Sequence, residues 1–488
     1  MSYDALVAHA RQTQALAEVA GRLGWDQETV MPRGAAGQRA EEMAAMEQVL
    51  HARRSDPLVG DWLAAVTPAD EVEAAQVREI RRAYERATRV PADLAARIAR
   101  VTSLAQGDWA AARAADDFAA FAPRLAEVVA LKREEAAALA SGGDLYDALL
   151  QDYEPGATAT ELEAMFGALR PRLVALRDRI LGAPQPPVLT GSFPEAAQLE
   201  MAQELAELFG YDLSRGRIDK AVHPFSSGSG ADVRITTRTD PTDPFNCFYS
   251  TIHEVGHATY EQQVDPAYAL SPIGRGASMG VHESQSRIYE NQLARSPAFA
   301  KWLFGRMQAK FGALGVDTAQ EFARTVNRVT PGFIRTESDE VQYNLHVLLR
   351  FDLERALIAG DLEVANLEEA WNARFFKDFG VKVPKASLGV LQDVHWSVGL
   401  FGYFPTYTLG NVYAGCLYQA MAADLPDLEA DLASGDLTAA LAWLRPRLQV
   451  HGALRDGAET LRHATGHPPT EGPLLDYLEA KFGALYGL

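Results

Sequence analysis

The pentapeptide His253-Glu254-Val255-Gly256-His257 constrains this chain more than any other feature. Its two imidazoles can act on a common point only if the segment is an α-helix, where positions i and i+4 differ by about 40° in azimuth and about 6 Å in rise. Glu254 then lies about 100° around from His253, beside that point rather than on it. Phe248, Tyr249 and Ile252 precede the motif and predict a buried helix. Two imidazoles so placed can share a tetrahedral metal ion, and a carboxylate beside them can take a proton from a water on that ion. Zinc brings the pKa of such a water towards about 7.

A catalytic zinc keeps three protein ligands and an open fourth position. The third ligand is sought in His282-Glu283-Ser284-Gln285-Ser286, which begins a second helical stretch. Glu283 is preferred because a His₂Glu set leaves the fourth position open; His282 is the rival, and spacing alone separates the two poorly.

The rest of the chain reads as helix. Most of the first 210 residues carry helical signals, and residues 68–140 are rich in Ala, Glu, Arg and Leu. The mixed charges of residues 68–87 predict a solvated face. Breaks are expected at Pro32-Arg33-Gly34, Ser141-Gly142-Gly143, Pro155-Gly156, Pro184–Pro187, Pro272–Gly280 and Gly402–Gly410. The helical period is lost over 223–246, where Asp232–Thr237 alternates like a strand. The expected fold is mainly α: one large helical body, 1–488, with a small β-element near residues 220–245. Within it, 1–215 is an N-terminal helical part and 216–488 the part that bears the metal site.

A net charge of −19 disfavours nucleic-acid partners. Two cysteines, Cys247 and Cys416, fit a reducing compartment and support no disulfide framework. The N-terminus does not read as a signal peptide, and no apolar window of about 20 residues is present. A cytoplasmic protein away from membranes is expected.

HEVGH and HESQS, with Glu283 26 positions after His257, resemble the M32 metallocarboxypeptidases, the thermostable carboxypeptidase 1 group. Further segments share the resemblance: Trp25-Asp26-Gln27 with Met31-Pro32, YDALLQDYEPG (146–156), HPF (223–225), DVRITTR (232–238), IRTESDE (334–340) and GVLQDVHW (389–396). The last two are similar to the family's I/V-R-x-x-A-D and G-x-x-Q-D-x-H-W motifs, the first departing with Ser338 in place of Ala. The resemblance implies a gluzincin-like helical body with a central groove, commonly a homodimer. It implies removal of single amino acids from peptide C-termini with broad side-chain tolerance. His253, His257 and Glu283 are then the metal ligands and Glu254 the general base. Zinc is the expected ion, with cobalt or manganese able to substitute.

An enzyme acting at C-termini must hold a free carboxylate, which suits an arginine fork. Arg335 is the first candidate, given its family-like motif, with Arg234 and Arg350 as alternates. His395 and Tyr403 are candidate donors to the developing oxyanion. His223 and His346 are read as structural. An oligopeptidase, an aminopeptidase, or a helical scaffold with a closed four-ligand structural metal are the rival readings.

Overall fold

The computed structural model describes residues 2–488. Helices carry most of it, and strands among the described residues are confined to three short segments between 218 and 237. The segment expected to be a strand is one. Strands β1 (Ile218–Lys220), β2 (Ser226–Ser229) and β3 (Asp232–Thr237) form a sheet of order β1-β3-β2, with β1 parallel and β2 antiparallel to β3. Gly228 has φ +99°, and a Cβ there would lie 2.0 Å from the Asp232 carbonyl oxygen, so this position within β2, opposite Val233, admits only glycine.

The chain forms two compact units. Unit 1 comprises residues up to Thr88, Pro186–Val326 and Tyr413–Pro469; unit 2 comprises Arg89–Gln185, Asn327–Val412 and Thr470–Leu488. Position 215, the end of the expected N-terminal part, lies inside unit 1. No helix among the described residues is long and apolar enough to cross a membrane.

In unit 1 the HEVGH motif sits on a helix, Pro244–Gln263. Asp243 caps it by accepting from the Phe245 N–H, and Pro244 occupies the first turn, where no N–H is needed. Phe248, Ile252 and Val255 are fully buried, each contributing about 1.5–3 kcal/mol by leaving water. This helix packs on β3, on the helix Glu195–Leu208 and on the short HESQS helix Met279–Arg287. The helix Glu71–Arg89 is less solvated than its charges predict. Ala75, Val77 and Ile80 are buried, Arg78 donates to the Ala453 carbonyl at 3.0 Å, and Arg82 pairs with Asp456 at 3.1 Å.

In unit 2 the most enclosed element is the helix Glu340–Ala359, capped by Asp339 and ended by Gly360 in the left-handed region. It packs on Ala159–Gly182, whose N-terminus carries a Thr158–Glu161 capping box. The break expected over Gly402–Gly410 is shorter than predicted, because a helix starts at Pro405 and runs to Asp424.

Gly256 decides how closely the HEVGH and HESQS helices approach. A Cβ at Gly256 would lie 2.5 Å from both the Gln285 carbonyl oxygen and the Ser286 Cα, which are backbone atoms that cannot rotate away. Alanine within a helix ordinarily stabilises by about 1 kcal/mol over glycine. Here the sign reverses: Gly256→Ala is expected to lower unfolding stability by about 1–3 kcal/mol, the cost of overpacking. Urea denaturation of wild type and variant measures it, and equal or greater stability of the variant would contradict the contact.

Candidate functional site

One carboxylate oxygen and two imidazole nitrogens converge in unit 1. His257 Nε2 lies 3.4 Å and His253 Nε2 3.7 Å from Glu283 Oε2, and the three ligand atoms all fall within 4.8 Å of one another. Bonds of about 2.0–2.2 Å to a tetrahedral zinc require ligand atoms roughly 3.3–3.5 Å apart, so the set closes on such an ion with a side-chain adjustment of a few tenths of an ångström at His253. Two imidazole nitrogens with one carboxylate oxygen are also the donor types that zinc takes in hydrolytic sites. Glu254, on the next helical position from His253, is 7 % exposed and accepts no hydrogen bond from the described residues. His282, the rival third ligand, points elsewhere: its Nδ1 is 2.7 Å from His257 Nδ1 and its Nε2 2.8 Å from Glu261 Oε1.

Each of the three convergent side chains is held from behind by one short stretch. His253 Nδ1 bonds Glu290 Oε2 at 3.0 Å, His257 Nδ1 meets His282, and Arg287 Nε donates to Glu283 Oε1 at 2.7 Å. His282 and Arg287 belong to the HESQS helix, and Glu290 to the π-helical turn Ile288–Ala294 that continues it. Partners of this kind fix ring orientation and tautomer at a metal site.

The local charge favours a cation. Burial lowers the His253 pKa, but the Glu283 and Glu290 carboxylates outweigh it and shift that pKa up. His257 is pushed down to about 4, by burial first and by the neighbouring histidines, and so stands neutral with a lone pair free. Burial opposes ionisation of Glu283, yet Arg287 and the two histidines hold its carboxyl well below the usual range. Glu254 is pushed up to about 7, chiefly by burial, with Glu283 and Glu290 adding to it. Carboxylates that hold a proton on His253 would hold a dication in its place.

Unit 2 brings Arg335, Arg350 and His395 around Asp393, with Tyr403 packed against the His395 ring. Asp393 Oδ1 accepts from Arg335 Nε and Nη2 at 3.2 and 3.1 Å, and its Oδ2 accepts from Arg350 Nε at 2.7 Å. Gln392 bridges the two family-like motifs, accepting from the Arg335 N–H at 2.9 Å and donating to the Phe333 carbonyl at 3.1 Å. Arg350 is fully enclosed, its Nη1 committed to the His346 carbonyl at 2.6 Å. Arg335 is 5 % exposed and lies over the Tyr407 ring at 4.9 Å. Two guanidiniums share one carboxylate, so the cluster carries a surplus positive charge. His395 is accordingly kept neutral, pushed down to about 4 by burial and by the two arginines against the opposing pull of Asp393. Its Nε2 stands 3.3 Å from the Tyr407 hydroxyl, and its ring packs 5.6 Å from that of Tyr403. Arg234 is elsewhere, in unit 1, donating through Nε and Nη2 to Asp232 and covering the Trp25 ring at 4.6 Å.

Sequence reasoning left several of these partners unassigned. Asp393 stands inside a quoted motif, and the pair of arginines near it called for a counter-ion. Glu354 gave no signal. It is fully buried in unit 2 and accepts from Trp396 Nε1 at 2.8 Å, Tyr146 Oη at 2.8 Å and the Gly402 N–H at 3.1 Å. Burial pushes its carboxyl up to about 7 against those bonds. It ties the YDALLQDYEPG and QDVHW segments to the backbone beside Tyr403.

The profile described as Peptidase_M32, "Carboxypeptidase Taq (M32) metallopeptidase", matches residues 5–482. The chain is 43% identical to thermostable carboxypeptidase 1 of Thermus thermophilus over 506 residues, covering 100% of this chain and 99% of that protein. It is 32% identical to carboxypeptidase 1 of Bacillus subtilis, covering 96% and 95%. Among solved structures, the M32 carboxypeptidase of Deinococcus radiodurans R1 superposes with a TM-score of 0.96 at 38% identity, covering 100% of both chains. That of Pyrococcus furiosus carboxypeptidase does so with a TM-score of 0.95 at 32% identity, covering 99% of each. Profile, relatives and fold agree along the whole length, and the chain belongs to the M32 family of metallocarboxypeptidases.

Proposed function

We propose that this enzyme removes single amino acids from peptides with a free C-terminus, accepts many side chains, and uses zinc held by His253, His257 and Glu283. The convergence of His253 Nε2, His257 Nε2 and Glu283 Oε2 beside the unbonded Glu254 carboxylate carries this reading. Three ligands leave a coordination position open, as hydrolysis needs and a structural site does not. When bound, the ion supplies Lewis acidity to the scissile carbonyl and its water.

Glu254 takes a proton from the attacking water and hands it to the leaving amine nitrogen; a buried carboxyl raised towards neutrality is suited to both transfers. Glu290, His282 and Arg287 keep the three ligands aimed. Arg335 binds the substrate's terminal carboxylate. Its support is the surplus charge around Asp393 and the family-like motif that carries it; Arg335 pairs Asp393 through Nε and Nη2 and the Tyr343 hydroxyl through Nη1 at 3.1 Å, and keeps a little exposure where Arg350 keeps none. His395, neutral and with Nδ1 lacking a hydrogen-bond partner, and Tyr403 serve as donors to the oxyanion.

Three outcomes test this reading. Mass-spectrometric product analysis on a blocked peptide should show stepwise loss of C-terminal residues from the free acid alone, abolished by a chelator and restored by Zn²⁺; internal cleavage of the C-terminal amide would move the activity to an oligopeptidase. Glu254→Gln should bind one Zn²⁺ as wild type does while kcat falls by at least about 10²-fold; retained turnover would remove Glu254 from the mechanism. Arg335→Lys keeps a cation facing Asp393 but loses the fork, and should raise KM for free-acid peptides roughly 10–100-fold with kcat little changed. An unchanged KM would return Arg335 to a structural role.

A further inference from the structure

His257 is backed by an imidazole, whereas its twin His253 is backed directly by a carboxylate. For His257 Nε2 to offer a lone pair towards Glu283, its Nδ1 must carry the ring proton. That proton has one acceptor, His282 Nδ1, at 2.7 Å. His282 must then be the tautomer protonated on Nε2, which donates to Glu261 Oε1 at 2.8 Å. Each assignment forces the next, and the chain of bonds ends on an anion.

The surroundings are shaped for this chain. A Cβ on Gly276 would lie 2.6 Å from His282 Cδ2, so only glycine lets the loop close over the ring. The Gly276 N–H donates to the same Glu261 oxygen at 2.9 Å, and the Tyr260 ring flanks His282 at 5.3 Å. Glu261 is 6 % exposed, and its second oxygen, Oε2, has no hydrogen-bond partner in the structure. That side chain lines a cavity of about 240 Å³ together with Trp25 and Arg275. A buried carboxylate with one unsatisfied oxygen is a costly way to satisfy one backbone N–H, which an amide would serve as well. The negative charge is explained by what lies at the other end of the chain.

We propose that Glu261 and His282 are positioning residues which lock His257 in its metal-binding tautomer and thereby set metal affinity. Glu261 acts only through His282. The inference rests on the reading that His257 is a metal ligand.

Zn²⁺ affinity measured by chelator competition tests it, on wild type and on Glu261→Gln, His282→Ala, the double variant and His257→Ala. Melting temperatures of the metal-free proteins are recorded in parallel. Glu261→Gln, which keeps size and an acceptor but not the charge, should weaken Zn²⁺ about 10-fold with an unchanged metal-free melting temperature. His282→Ala should weaken it at least as much. In the His282→Ala background, adding Glu261→Gln should change nothing further. Affinity of Glu261→Gln within about twofold of wild type overturns the proposal, since partners behind a ligand ordinarily matter by about 10–100-fold. So does a Glu261 effect that persists without His282, or a loss of affinity that only follows a loss of metal-free stability. His257→Ala separates the two readings: wild-type Zn²⁺ affinity there would refute the ligand assignment itself. Should His282→Ala fail to fold, the Co²⁺ absorption spectrum of Glu261→Gln decides, a shifted visible band being expected and an unshifted one contradicting the proposal.

Discussion

The contact of Gly256 with the backbone of Gln285 and Ser286 is the constraint on which the unit 1 site depends. Two helices meet there without a side chain between them. That closeness brings Glu283 Oε2 to 3.4 Å from His257 Nε2, and brings His282 and Glu290 behind the two histidines. The Gly in HEVGH is therefore no filler between the two histidines. Packing at this position sets the spacing of the three convergent side chains as much as the side chains themselves do.

Each unit buries a charged cluster: in unit 1 the carboxylates in excess of the guanidiniums are met by the proton they favour on His253, and in unit 2 a guanidinium is left over. Around His253 and His257, the carboxylates of Glu254, Glu283 and Glu290 face the guanidiniums of Arg287 and Arg295. Around Asp393, two guanidiniums face one carboxylate while His395 is held neutral. Unbalanced charge in a poorly solvated place is costly, so a fold that retains it does so where a ligand of the opposite sign completes it. A dication suits the first, a carboxylate the second.

The helix carrying HEVGH, the strand Asp232–Thr237 and the mainly α class were legible because each rests on a local period or spacing. The choice between His282 and Glu283 was not. The two are neighbours on one helix, and which faces the histidine pair depends on how that helix is rotated against another. Glu354 and Glu261 were invisible for a related reason. A buried carboxylate is recognisable only by the donors folded around it, which come from residues 146, 396 and 402 in one case and 276 and 282 in the other. The resemblance marked several of those segments without saying what they touch. The charges of residues 68–87 misled because a long arginine stem can lie along a neighbouring backbone and still expose a charge.

Glu290 shows most plainly what a linear reading cannot reach. In an unbroken α-helix, residues 283, 287 and 290 would form one stripe, since offsets of four and seven return to nearly the same azimuth. All three side chains would then crowd the same face. The π-helical turn from Ile288 to Ala294 widens the winding after Arg287, and Glu290, still 3.4 Å from Arg287 Nη1, extends to His253. Arg287 stays in line to hold Glu283, while Glu290 reaches the Nδ1 side of His253 and leaves Nε2 free. Arg295, just past the turn, takes the other Glu290 oxygen at 3.2 Å. A winding defect of one turn thus assigns two acidic residues of similar chemistry to different tasks, one facing the convergent point and one behind it.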